Sequence, residues 1–166
     1  ATQSSNAGTY PITLTNGSDD NYEITLKAGI LTVGKKALTI TADDKQKTYG
    51  QANPTLTFTY AGLTNGDSKA ATEPSISTTA IASSSVGKYP ITLTGAADAN
   101  YDITLKAGEL EVTKATLTIT ADNKSKVYGQ ENPALTFTYS GLTNGDSKAA
   151  TEPSISTTAT QSSNAG

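Results

Sequence analysis

The chain has 166 residues, a net charge of −3 and a pI near 4.8, and it lacks Cys, His, Met and Trp. All twelve basic residues are Lys, so thiol and imidazole chemistry, guanidinium clamps, disulfides and soft-metal sites are excluded. The acidic balance argues against nucleic acid, which needs a basic face to release counterions, and the apolar runs are too short for membrane insertion.

Ala1–Gly8 (ATQSSNAG) returns unchanged as Ala159–Gly166, so the chain is two periods of 79 residues plus eight. Residues 36–79 and 115–158 differ at 8 of 44 positions, and residues 1–35 and 80–114 at 13 of 35. Adjacent copies this similar imply a longer array, because a unique active site gains nothing from being copied in line. The period exceeds the roughly 20–50 residues of solenoids, which favours small domains in series. Without an initiating Met, leader or anchor, the chain reads as an excerpt of a larger protein. Thr supplies 30 residues; it is β-branched and uncharged, suited to a wetted sheet face.

Tyr10-Pro11 comes first and recurs as Tyr89-Pro90. Tyr49-Gly50 with Asn53-Pro54, repeated as Tyr128-Gly129 with Asn132-Pro133, is the most distinctive motif. Its structural reading has Tyr at the core edge, Gly at a special φ and Asn-Pro shaping a turn. The competing reading has an exposed Tyr stacking on a sugar ring. Leu56, Phe58 and Tyr60 alternate with Thr55, Thr57 and Thr59, the period-two pattern of a half-buried strand. Asn65-Gly66-Asp67 is a turn signal, and Ser68–Ala71 is expected to form one helical turn before Pro74, with Asp67 as N-cap. Ala80–Gly87 reads as a Ser-rich loop.

Further on, Tyr89, Ile91 and Leu93 share one strand face, and Pro90 marks an edge or entry position. Tyr101, Ile103 and Leu105 alternate with Asp102, Thr104 and Lys106 after the turn at Asn100. Ala107-Gly108 is expected to close a hairpin between Tyr101–Lys106 and Glu109–Val112, with Gly108 at positive φ. Inward-facing Leu110 and Val112 are even-numbered, whereas Leu117, Ile119 and Ala121 are odd. A side-chain period of two cannot change phase without a bulge, a crossing or a boundary.

The boundary is therefore placed near Thr113-Lys114 and its equivalent near Gly34-Lys35. Residues 35–113 make a complete repeat, 1–34 the C-terminal part of a preceding one, and 114–166 the N-terminal part of a following one. The rival phase cuts the chain into 1–79 and 80–158. Ordered part-repeats expose unfinished cores, which head-to-tail self-association would relieve because 114–158 and 1–34 together make one period. The expected fold is all-β: small antiparallel sandwich-like modules of six or seven strands, with a β-grasp-like module as the alternative.

Tyr49-Gly50, Asn53-Pro54, Gly62-Leu63, Asn65-Gly66-Asp67, Gly87–Ile91, Asn100–Ile103 and Gly108–Ala115, in that order, resemble the MBG-type repeats of the YGX variety. Those repeats stand in tandem in large bacterial surface adhesins and secreted proteins. The resemblance covers the whole chain and implies an extracellular, cell-surface location and a stalk or adhesion role. It supplies no catalytic residues. Partners on this view are neighbouring repeats, with a glycan or host surface protein if each copy binds weakly and avidity does the rest.

Ca²⁺ takes oxygen ligands, and acidic groups occur at Asp19-Asp20-Asn21, Asp98-Ala99-Asn100, and Asp43-Asp44 with its counterpart Asp122-Asn123. Asp20 becomes Ala99 and Asp44 becomes Asn123, so carboxylates are not kept between copies, and solvated turn residues are the default. No cofactor is expected. The Lys residues read as surface or turn residues, giving no buried triad for an isopeptide crosslink. No His can act as base, and no nucleophile elbow or phosphate loop is present; a paired-carboxylate hydrolase would need the same pair in every copy within one pocket, so no enzymatic activity is expected.

Overall fold

Eleven strands and no helix form along residues 1–163, which the computed structural model describes. They are β1 (Gly8–Ile12), β2 (Gly29–Val33), β3 (Lys36–Ala42), β4 (Lys45–Thr48), β5 (Phe58–Ala61) and β6 (Ser75–Thr78). β7 (Gly87–Thr94), β8 (Tyr101–Lys106), β9 (Gly108–Thr113), β10 (Thr118–Ala121) and β11 (Phe137–Ser140) follow. The last three residues of the expected 114–166 part-repeat lie outside the described residues. The chain divides into two compact units: residues 1–45, 54–80 and 88–111, and residues 46–53, 81–87 and Val112 onward.

In the first unit β3 is the centre of a three-stranded sheet ordered β5-β3-β8. It runs antiparallel to β5, with Ile40 opposite Tyr60, and parallel to β8, from Lys36↔Tyr101 to Thr41↔Lys106. A four-stranded sheet has the order β4-β9-β7-β6. β6 pairs with Ile91–Thr94 of β7, so Pro90 sits one residue past that ladder. Leu38 and Ile40 from the first sheet meet Ile91, Leu93 and Leu110 from the second in one core. Leu38, Ile40, Ile91 and Leu110 are fully buried, each contributing about 1.5–3 kcal/mol of apolar burial. Phe58, Tyr60 and Tyr89 pack half-buried against them, and Phe58 meets Tyr60 edge to face at 5.6 Å. The all-β sandwich is as expected, with seven strands between Lys36 and Thr113.

Several details differ from expectation. The sheets are not purely antiparallel, because β3 and β8 run together; β4 to β7 supply the long connection a parallel pair needs. Tyr101–Lys106 and Glu109–Val112 form no hairpin. β8 joins the three-stranded sheet and β9 the four-stranded one, so the chain changes sheets at Ala107. Gly108 is absent from the positive-φ positions. It is needed for space instead: a Cβ there would lie 2.5 Å from the Ala42 carbonyl oxygen. Ser68–Ala71 is not helical, and Asp67 caps nothing. The Ala71 amide donates to Asp98 Oδ2 (2.8 Å) and Thr72 exchanges backbone bonds with Ala97, which draws the segment into extended pairing. Without a helix among the described residues, the β-grasp-like alternative falls.

The remaining piece of the first unit is a two-stranded sheet, β1 with β2, from Gly8↔Val33 to Ile12↔Gly29. In the second unit β10 pairs with β11 from Thr118↔Ser140 to Ala121↔Phe137, the β3–β5 register displaced by one period. Identical motifs thus meet different surroundings. Tyr101 is 3% exposed, whereas Tyr22, one period earlier, is 75% exposed. Residues 22–27 form no strand, because the parallel neighbour that β3 supplies to β8 has no counterpart beside them.

Candidate interface between consecutive repeats

β4 leads into the Tyr49-Gly50 turn, closed by the Gln51 amide donating to the Thr48 carbonyl at 3.0 Å. Gly50 takes φ +86°, a left-handed conformation glycine adopts without steric penalty. Beneath the turn lies Lys47, a buried cation at 6% exposure. Its Nζ donates to the carbonyls of Gln51 (3.1 Å), Ile81 (2.5 Å) and Ala82 (3.5 Å). This corrects the expectation that every Lys is a surface or turn residue: burial is tolerated because carbonyl oxygens replace the water around the ammonium. The isopeptide idea gains nothing, since these partners are backbone groups. Lys126 repeats the device on the carbonyls of Gln130 and Thr160.

The turn is tied to the end of its own repeat's β9 and also reaches residues of the following copy. The Tyr49 amide donates to the Thr113 carbonyl at 2.8 Å, and Thr113 Oγ1 to the Lys47 carbonyl at 3.2 Å. The Tyr49 hydroxyl donates to Asp146 Oδ2 at 3.1 Å. Gly50 lies so close to Thr143 that an added Cβ would come within 2.9 Å of the threonine's Cβ. Tyr49, Val86, Ala115, Thr143 and Asp146 line a shallow cavity of about 270 Å³.

A matching arrangement occurs one period earlier, inside the first unit. A cavity of about 250 Å³ is lined by Ala7, Lys36, Thr64, Asp67, Asn100 and Tyr101. Ala7, Lys36, Thr64 and Asp67 correspond to Val86, Ala115, Thr143 and Asp146 displaced by 79. Asn65 (φ +56°) and Gly66 (φ +85°) form the turn, in which the Asp67 amide donates to the Thr64 carbonyl at 3.0 Å. The Tyr101 hydroxyl accepts from the Thr64 amide (3.0 Å) and donates to Asp67 Oδ2 (2.7 Å). The Asp67 bond, then burial, raises the phenol above its ordinary ionisation range. Asn100 joins two copies: its carbonyl accepts from the Lys36 amide, its Oδ1 from the Ala7 amide (2.9 Å), and its Nδ2 donates to Asn6 (3.2 Å).

Of the other singled-out residues, Pro54 is half-buried and Asn53 exposed; the matching Asn132 donates to the Ala159 carbonyl at 2.6 Å. Tyr128 is 63% exposed, and Gly129 takes φ +85°. The acidic groups weighed for calcium hold the chain's own donors. Asp98 accepts from the Asn100 and Ala71 amides, which lower its carboxyl below the usual range. Asp44 accepts from the Glu109 amide, and Asp43 and Asp122 accept from Thr57 and Thr136. Among the described residues no three acidic side chains gather as a metal site.

The family model for the MBG domain (YGX type) matches residues 1–32, 38–111 and 117–166. That family is a structural repeat domain and not a known enzyme family. No curated protein and no solved structure matches the chain.

Proposed function

The chain belongs to the MBG domain family of YGX type, and we propose that its repeats are structural spacers of a bacterial cell-surface adhesin, exported and holding a distal binding region away from the cell. The observation that carries this is where a repeat spends its tyrosines. Tyr101 is buried and Tyr60 and Tyr89 pack on the core, so these rings stabilise the module rather than line a ligand platform. The repeat unit on this reading is 35–113, with two residues between β2 and β3 and four between β9 and β10. Strand lengths at about 3.3 Å per residue make each unit on the order of 20–30 Å long. Small-angle scattering on two, three and four periods tests it: maximum length grows by a constant increment per repeat, and a length that stops growing overturns the spacer.

A second reading is favoured by residues 22–27, which join no sheet. Ile24 and Leu26 are exposed there, as is Leu117 in the following part-repeat, while their counterparts Ile103, Leu105 and Leu38 contribute to the core. Two copies of the chain would complete each other head to tail by the β3–β8 ladder displaced one period, Ala115 opposite Tyr22 through Thr120 opposite Lys27.

A further inference from the structure

We propose that the Tyr-Gly turn of each repeat is a docking latch for the Thr-Asn-Gly-Asp turn of the repeat after it. The partner is the next copy in the same chain, and the inference needs only that a copy follows, whatever the array is for. Two contacts define the latch. The Tyr49 phenol donates to the Asp146 carboxylate across 97 residues of sequence, a charge-assisted bond stronger than one between neutral groups. Gly50 offers a flat backbone surface on which the Thr143 side chain sits, with no room for a Cβ. The turn presenting them is pinned from behind by Thr113, the last residue of β9, and from below by Lys47.

The second Tyr-Gly turn is an internal control. Gly129 has the same left-handed backbone as Gly50, φ +85° against +86°, yet a Cβ added there meets nothing within 4 Å. Tyr128 is 63% exposed where Tyr49 is half-buried. The crowding at Gly50 therefore comes from the following copy and not from the turn. Asp67, the counterpart of Asp146, is already held by Tyr101 of its own repeat. A carboxylate has about four acceptor positions, so an Asp with neighbours on both sides accepts its own β8 tyrosine and the preceding repeat's latch tyrosine together. Glycine in the signature motif then has two separate duties, a positive φ and a seat for the neighbour.

Backbone ¹⁵N relaxation on the 166-residue chain tests this. The amides of 46–53 and 114–158 share one rotational correlation time in the parent protein. Gly50→Ala splits them, lowering the value for 114–158, whereas Gly129→Ala, with equal backbone strain and open space, leaves the shared value in place. Tyr49→Phe weakens the coupling and Tyr128→Phe does not. Thr143→Lys crowds the seat from the opposite side without touching φ at Gly50, and it splits the two segments even where Gly50→Ala disturbs its own repeat. Unequal values in the parent, or identical behaviour of the Gly50 and Gly129 variants, overturns the latch. Neither result bears on whether length grows with repeat number, so the spacer reading stands or falls separately.

Discussion

Lys47 shows how one side chain can be misjudged from its neighbours. In Lys-Gln-Lys-Thr, β4 looks like a wetted edge strand, and nothing in alternation or composition marks the second Lys as buried. Comparing the copies offered a clue: Asp44, Gln46 and Thr48 change to Asn123, Ser125 and Val127, while Lys45 and Lys47 stay Lys. A group that persists amid drifting neighbours is doing something they are not. Lys47→Met keeps the aliphatic stem but leaves the Gln51 and Ile81 carbonyls without their donor, at a cost of about 1–3 kcal/mol. Urea denaturation of the chain checks this, and an unchanged midpoint would mean that water reaches those carbonyls. The inward-facing Leu, Ile and Tyr residues, by contrast, were legible directly, because each strand buries alternate side chains.

At the scale of elements, strand positions could be read from alternation but strand partners could not. A period of two says which face is buried and nothing about direction or neighbour. The parallel β3–β8 ladder and the change of sheet at Ala107 are therefore hidden in the sequence, where Ala-Gly between two strands reads as a hairpin. Gly108 and Gly29 now separate the two explanations for that glycine. A Cβ on Gly108 meets the Ala42 carbonyl oxygen at 2.5 Å, while one on Gly29 meets only Ile12 side-chain atoms at 3.6 and 3.7 Å. Gly108→Ala should thus lower stability by about 1–3 kcal/mol through overpacking, and Gly29→Ala should leave the thermal midpoint nearly unchanged. Equal melting shifts would point back to a turn requirement shared by both copies.

At the scale of the whole molecule, one sequence motif folds to different extents in different places. In Asn-Tyr-x-Ile-Thr-Leu-Lys the residues from Tyr101 to Lys106 are a strand beside β3, and residues 22–27 of the same pattern stay out of any sheet. The 79-residue period was plain in the sequence, whereas the dependence of each strand on a distant partner became visible only in three dimensions. If two chains complete each other, light scattering finds a mass that rises with concentration, and Leu26→Lys or Leu117→Lys holds the chain as a monomer. A monomer at every concentration in the parent would end the head-to-tail reading.

The parallel pairing of β3 and β8 also bears on tension. Pulling on Lys36 at the start of β3 and on Lys106 at the end of β8 drags these two strands past each other lengthwise. Their ladder is then loaded in shear, so its bonds must stretch together and cannot peel off singly like a zip fastener. A tether made of such units would resist a tug from flowing fluid best along its own axis.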